Sequence, residues 1–396
     1  MPFRESTPMD QRTQVVAEYY RNKLTCDEIA ARFGISRKTL YKWVDRFESC
    51  GTAGLVDRPR RPHYSPLATS EDLVGRILEL HDRNGRGAKK LRAILTKEHP
   101  SLPWPSETTF SAILKRNGRV KRARHRRHLP HPGPPTFDID GPNDVWSADH
   151  KGEFRTRDGV YCYPLTITDN FSRYILACTG LLSTSIADAK PVFINVFREF
   201  GLPHCIRTDN GGPFSSPVAL GRMTRLSAWW VRLGIYPELI EPGCPQQNGR
   251  HERMHRTLKA DTTRPPAATR RAQQRKFNTF VADFNTYRPH EALGQTTPAS
   301  HYSPSPRPYP ERLPQPEYPA HFEVRRVSNN GGIRWQSNWV NVSRVLEQEY
   351  IGLEEVDNEI WDVYFGALWI GQFHEQSMRI VDEKGRHFRT KKCLKL

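Results

Sequence analysis

Residues 145–181 read VWSADHKGEFRTRDGVYCYPLTITDNFSRYILACTGL. Apolar and β-branched runs alternate here with short polar turns. The spacing predicts three strands, over 145–154, 160–168 and 172–181, opening an antiparallel sheet. The period then changes. Ile186, Val192, Phe193, Val196 and Phe197 share one side of a helix over 185–200, and a short strand over 204–208 ends at Asp209. A helix over 217–233, a strand over 235–240 and a helix from about 248 into the 260s complete the pattern. Strands interleaved with helices mark an α/β domain.

Working outward, a helix over 271–290 buries Phe277, Phe280, Val281 and Phe284, and eight prolines fall within 298–319. That stretch reads as a linker. Beyond it, 322–381 carries short β-type runs around the hairpin turn Asn329-Asn330-Gly331-Gly332, which predicts a small β-barrel with Arg325, Arg326 and Arg334 outside. Toward the N-terminus, Thr25 and Glu28 form a capping box, Gly34 stops the helix it opens, and Ser36 caps a second helix bearing Leu40, Trp43, Val44 and Phe47. This is a helix-turn-helix. Arg37, Lys38, Tyr41 and Lys42 stand at the exposed start of its second helix, the end that meets base edges in DNA complexes. An ordinary helical hairpin with a solvated basic face is the bland alternative. A second helical triplet, with a Ser106 cap, follows the proline- and arginine-rich 58–62. The predicted layout is 1–60 helix-turn-helix, 66–118 second helix-turn-helix, 119–142 basic linker, 143–297 core, 298–320 linker and 321–385 β-barrel.

Charge is unevenly spread. The 60 Lys and Arg against 43 Asp and Glu give a net of +17, and residues 1–131 alone hold 27 cationic against 14 acidic side chains. A basic front suits a polyanion such as nucleic acid. Arg122, Arg124, Arg126 and Arg127 belong to a cationic run over 115–127 that would contact backbone phosphates. No apolar run reaches the ~20 residues of a membrane span. The N-terminus lacks a signal-peptide core, and seven scattered cysteines form no CxxC pair, so a reducing, cytoplasmic setting is expected.

Three acidic residues stand out. Asp149 interrupts an apolar strand, Asp209 ends one before Asn210-Gly211-Gly212, and Glu252 lies one turn into a helix entered from a Gly/Pro-containing loop. Strand ends and helix starts are where α/β domains place functional groups. Three carboxylates supply hard oxygen ligands whose shared charge two Mg²⁺ or Mn²⁺ ions would balance, an arrangement suited to phosphodiester chemistry. Glu252, Arg256 and Lys259 share a helix face, which could grip a phosphate backbone beside the cut site. The alternative is an exposed Glu–Arg pair worth only about 0.2–0.5 kcal/mol.

At these residues the chain resembles the integrase-core DDE transposases of bacterial insertion sequences, relatives of retroviral integrases. The matching pieces are Trp146-x-x-Asp149, Thr168-Asp169-Asn170-Phe171-Ser172-Arg173, Thr208-Asp209-Asn210-Gly211, Pro245-Gln246-x-Asn248-Gly249-x-x-Glu252-Arg253, and Phe284-Asn285-x-x-Arg288-Pro289-His290-x-x-Leu293 before Thr297-Pro298. The resemblance implies a multidomain chain: all-α helix-turn-helix modules, an α/β RNase H-like core with a mixed sheet, and a small SH3-like β-barrel. It implies an enzyme that binds the terminal inverted repeats of an element, cleaves 3′ ends and joins them to target DNA. It carries over Asp149, Asp209 and Glu252 as catalytic, metal-binding residues, and Arg256 and Lys259 as DNA contacts. It further implies at least a homodimer on synapsed double-stranded DNA ends, no membrane partner, and a bacterial, nucleoid-associated setting.

Asp169 is expected to support structure, and Asp158 and Asp188 to lie at the surface. His150, His251, His255 and His290 are expected at the surface or on DNA, since carboxylate–metal chemistry needs no histidine base. Two departures from the family pattern stand out. Glu252 follows Asp209 by 43 positions, longer than usual, with the surplus placed at 215–227. The zinc-binding His/Cys module of retroviral integrases is missing. A catalytically silent DNA-binding regulator and a structure-specific RNase H-like nuclease are the rival readings. Connectors at 118–142 and 298–320 are expected to be disordered, letting the modules rearrange.

Overall fold

The computed structural model describes residues 7–58, 68–120, 137–217, 219–241 and 244–382. They form two compact units that divide at Ser70 and Glu71. In the first unit lie α1 (Pro8–Arg21), α2 (Cys26–Phe33), α3 (Arg37–Cys50) and a 3-10 turn at Gly51–Leu55. Capping boxes at Thr7/Asp10 and Thr25/Glu28 start the first two helices, and the Ser36 hydroxyl accepts from Thr39 N–H to start the third. Gly34, at φ +63°, ends α2 in the left-handed region. Val15, Ile29, Leu40 and Val44 make one small core, and Val16, Trp43 and Leu55 a second.

The second unit begins with α4 (Glu71–Asn84), α5 (Ala88–Glu98) and α6 (Glu107–Arg116), packed around Ile77, Leu91, Ile94, Phe110 and Ile113. Ser106 caps α6 as expected. This triplet docks on the α/β core. Buried Arg86 donates to Asp283 at 2.6 Å and lies over the Tyr287 ring, whose hydroxyl donates to Glu98 at 2.9 Å.

The core sheet comprises β1 (Val145–His150), β2 (Phe154–Arg155), β3 (Tyr161–Asp169), β4 (Ile175–Leu181), β5 (Cys205–Thr208) and β6 (Tyr236–Leu239). Their order is β2-β3-β1-β5-β6, with β4 on β3. β1, β3 and β4 pair antiparallel, whereas β5 and β6 run parallel to β1 and to each other, making a mixed sheet. The expected strand over 145–154 is broken after His150. Lys151 N–H still reaches Pro164 O, but regular pairing resumes only at Phe154.

One sheet face packs on α7 (Ile186–Phe200) and α8 (Arg225–Arg232), through Trp146, Phe193, Phe197 and Trp230. The other carries α9 (Gly249–Thr262) and α10 (Arg270–Thr286), through Cys162, Cys178, Leu258 and Phe277.

The helix expected over 217–233 is only α8. Gly221 sits at φ +59° within a 3-10 turn, and a Thr224/Ser227 capping box restarts the chain. Leu220 and Met223 from this segment enter the core of the C-terminal module beside Ile370 and Phe373. That module holds β7 (Glu323–Arg326), β8 (Gly332–Trp335), β9 (Asn338–Asn341), β10 (Tyr350–Asp357), β11 (Ile360–Phe365), β12 (Leu368–His374) and β13 (Arg379–Val381). A five-stranded sheet and the β8–β9 hairpin enclose one apolar core.

The proline-rich stretch 298–320 is not a loose linker. Tyr302 stacks on Tyr174 at 4.5 Å and its hydroxyl donates to Asn143. Arg307 donates to the carbonyls of Pro203, Leu233 and Gly234. Prolines fix φ and so lower the entropic cost of holding an extended strap, and the side chains between them pin it. The expected connector at 118–142 is described only at its ends. There Phe137 N–H donates to Glu238, and its carbonyl accepts from Arg207.

Candidate active site

Asp149 lies on β1 and Asp209 immediately follows β5. These strands are parallel neighbours, with Ala148 opposite Thr208. The two aspartates are therefore the next residues along adjacent strands at the same sheet edge. Asp209 Oδ1 accepts from Gly211 N–H at 3.1 Å, and Asn210 donates to Ile240 O at 2.8 Å, which fastens the turn to the end of β6.

Glu252 sits in the first turn of α9, the helix packed on the Cys162/Cys178 face of the sheet. His251, Met254, His255, Leu258 and Thr262 are buried, and Glu252, Arg256 and Lys259 are all exposed on the opposite side of the helix. Among the described residues, neither Arg256 nor Lys259 makes an ion pair, so the exposed Glu252–Arg256 pair does not form.

Asp149 feels its neighbours. Burial first, then the charges of Asp209 and Glu252, push its carboxyl up to about 7 against the partial offset of the His150 backbone and Lys151. Lys151 and the His150 backbone offset only part of that charge.

Two histidines expected at the surface are instead inside. His251 is 1% exposed and His255 is 5% exposed. Thr166 Oγ1 lies 2.7 Å from His251 Nε2, 2.6 Å from His255 Nε2 and 3.1 Å from the Asp149 backbone oxygen. A hydroxyl has one proton and two lone pairs. Thr166 therefore donates to the Asp149 carbonyl and accepts from both Nε2–H groups, which fixes the proton on Nε2 of each ring. Burial keeps both rings neutral, pushing His251 down to about 3 and His255 lower still. The Nδ1 atom of His251 accepts from the Thr168 hydroxyl at 2.8 Å, while that of His255 faces Asp149 Oδ2 at 3.6 Å.

Among the described residues, the one set of three whose donor atoms all lie within 4.8 Å of one another is Asp149, His251 and His255. Both His251 nitrogens are already bonded, so that set offers a metal two ligands at most. The carboxylates Asp149, Asp209 and Glu252 are the better donors for a hard divalent cation. A sequence signal for the histidines existed: 251, 255, 258 and 262 form the apolar stripe of α9. They were misread because their polarity suggested solvent.

Asp169 is the structural residue expected, 1% exposed and accepting from Asn143 N–H, Ser172 N–H and the Ser172 hydroxyl. Asp158 is exposed as expected, but Asp188 is half-buried, accepting from the Ser183 hydroxyl at 2.6 Å. His150 and His290 are half-buried as well, each with ring nitrogen that has no partner. In the first unit Arg37, Lys38, Tyr41 and Lys42 are exposed along the start of α3. Arg122, Arg124, Arg126 and Arg127 lie outside the described residues.

Residues 140–245 and 233–298 match the integrase core domain family, which spans both aspartates and the glutamate helix. The chain carries an integrase core. Residues 11–63 match a helix-turn-helix domain and 39–114 a homeodomain-like domain. An insertion element IS476 protein of 39.2 kDa from Xanthomonas euvesicatoria is 26% identical over 68% of this chain and 75% of its own. The Pol polyprotein of feline endogenous virus ECE1 is 32% identical over 31% of this chain, a match that spans only 11% of the viral protein. Among solved structures, a simian T-cell lymphotropic virus intasome chain aligns at TM-score 0.36 and 18% identity, covering 74% of this chain and 97% of that one. The catalytic core domain of HTLV-2 integrase, solved with magnesium, aligns at TM-score 0.30 and 16% identity, covering 41% and 99%. No helix among the described residues is long and apolar enough to cross a membrane.

Proposed function

We propose that the chain is an insertion-sequence transposase that binds double-stranded DNA at terminal inverted repeats, frees a 3′ end and joins it to target DNA. The observation that carries this reading is the placement of Asp149 and Asp209 at neighbouring parallel strand ends, with Asp149 raised first by burial and then by the charges of Asp209 and Glu252. A buried carboxyl raised in part by neighbouring carboxylates favours a functional site over a structural one.

Asp149, Asp209 and Glu252 would hold two Mg²⁺ or Mn²⁺ ions. Bound there, such ions supply Lewis-acid stabilisation at the attacked phosphorus and a better nucleophilic oxygen. The protein's own residues supply the placement. Thr166, His251 and His255 fix α9, the helix that carries Glu252, against β3. Arg256 and Lys259, on the Glu252 side of the helix, are free to neutralise the DNA backbone beside the cut. In the first reaction water attacks the phosphodiester at the element's end, breaking the P–O3′ bond and leaving a 3′-hydroxyl. In the second that hydroxyl attacks a target phosphodiester, one P–O bond forming as another breaks. The start of α3, with Arg37, Lys38, Tyr41 and Lys42, would read the repeat. Joining two ends calls for at least two copies of the chain.

Nicking and strand transfer on end-containing DNA, with and without Mg²⁺, test this directly. Asp149→Asn, Asp209→Asn and Glu252→Gln should each abolish both reactions while end binding survives. Binding without cation-dependent nicking in the wild type would favour the regulator, and cleavage without joining the nuclease.

A further inference from the structure

Glu252 is one wall of a cleft of about 740 Å³ in the second unit. Its other walls come from four parts of the fold: Lys90 on α5, Arg173 after β3, Arg250 and Arg253 on α9, and Arg288 and His290 beyond α10. Thr168, Phe284 and Met254 line it between them.

Five cations, with Arg288 among them, outnumber the three acidic residues of the lining, Asp169, Glu252 and Glu291. Asp169 is consumed by its three hydrogen bonds to Asn143 and Ser172, and Glu291 is paired with Lys89. Arg288 alone has a carboxylate, Asp261 at 3.0 Å. Among the described residues Lys90, Arg173, Arg250 and Arg253 make no ion pair; Arg173 and Arg250 both donate to one backbone carbonyl, that of Asn170. The His290 ring has an Nε2 atom buried without a partner.

The cost of this crowding is visible in three groups. Burial, then Arg288 and Arg86, push the Lys90 ammonium down to about 8. Burial, then Arg250 and Arg253, push Arg173 down to about 10. Burial, then Lys90 and Arg288, push His290 down to about 4. Converging, half-desolvated cations from separate elements are unfavourable in the free protein. They become favourable when an anion with several acceptor oxygens sits among them.

We infer that this cleft binds a backbone phosphate of the DNA strand that enters the active site, held chiefly by Lys90, Arg173, Arg250 and Arg253, with the attached nucleotide filling the space over Phe284. The inference rests on the DNA-processing reading above and adds a specific anchor to it. Because Lys90 belongs to the helical triplet and the others to the integrase core, one phosphate would tie the two together. The motif Arg288-Pro289-His290 then has a role, as the wall that backs the anchor.

The test uses the full chain, made inert by Asp149→Asn, with end-containing duplexes in Mg²⁺. Lys90→Met and Arg173→Gln should each weaken binding roughly tenfold, the strength of a hydrogen bond to a charged group. Each should also flatten the log–log salt dependence by about one phosphate's worth, ~0.9. A scan of single methylphosphonates should find one phosphate whose neutralisation weakens wild-type binding but no longer matters in the Lys90→Met/Arg173→Gln pair. Without DNA, Lys90→Met should melt higher than its parent, since it removes a half-buried charge that has no ion pair among the described residues. Inorganic phosphate should raise the melting temperature of the parent more than that of the pair. Unchanged affinity and salt slope in both variants, or additive losses at every methylphosphonate, overturns the anchor. If instead the parent shows no salt-dependent DNA binding at all, it is the transposase reading that fails.

Discussion

The Nδ1 atom of His255 stands 3.6 Å from Asp149 Oδ2, and its Nε2–H is committed to the Thr166 hydroxyl 2.6 Å away. Thr166 thus joins two helix histidines to the strand that bears the first aspartate. Thr166→Val keeps the shape and removes the hydroxyl, leaving two buried Nε2–H donors unpaired. A loss of about 2–6 kcal/mol in urea unfolding is expected, at 1–3 kcal/mol per orphaned group. Strand transfer should fall further than stability at temperatures where the fold survives.

Asp149 is costly to keep ionised. Its carboxyl is raised to about 7, so at pH 8 without divalent ions the charged form strains the site. Asp149→Asn should therefore melt at or above the wild-type temperature in chelator. Added Mg²⁺ should stabilise the wild type and leave the variant nearly unmoved. Equal stabilisation of both by Mg²⁺ would detach Asp149 from the ion site.

Arg207 and Glu238 form an ion pair at 2.6 Å, with side chains 3% and 5% exposed, two residues before Asp209 on β5 and across on β6. Removing one partner strands a buried charge. Glu238→Leu should cost about 3–5 kcal/mol, and Arg207→Met added to it should recover most of that loss. A double-mutant cycle in denaturant measures both.

Lys90 gives a pH signature. Its folded pKa of about 8 lies below the unfolded value near 10.4, so the unfolded chain holds more proton between those limits. The lysine's contribution to stability therefore rises with pH across that window. The melting-temperature advantage of Lys90→Met over wild type should be full at pH 7 and shrink toward pH 10.

Arg307 bonds three carbonyls of the core with one guanidinium. Arg307→Ala should release the strap, with proteolysis appearing between 303 and 315 before the core is cut. The loss of stability is expected at about 1.5–3 kcal/mol, the range for hydrogen bonds to a charged group.

Much of this was legible beforehand because it is local. Thr25/Glu28, Ser36 and Ser106 announce helix starts through their own side chains, and the stripe of Phe277, Phe280 and Phe284 announces α10. What sequence periodicity could not supply was long-range. That β1 lies beside β5, which puts Asp149 next to Asp209, follows from sheet order rather than from any run of residues. The strap was misread because prolines indicate an extended chain but not what it lies on; Tyr302 and Arg307 decide that. The α8 start was overrun because Gly221 and Thr224 interrupt an apolar stretch that looks continuous. His251 and His255 were assigned to solvent by residue type, when their positions on the α9 stripe argued for the interior.

Leu220 and Met223 come from the loop that follows Asp209, yet they are seated among Ile370 and Phe373 of the C-terminal sheet. The β-module is therefore geared to the edge where cutting would occur, and displacing one should tug on the other. A chain shortened to end near residue 300 would bare those two side chains to water, and is expected to precipitate rather than behave as a tidy minimal enzyme.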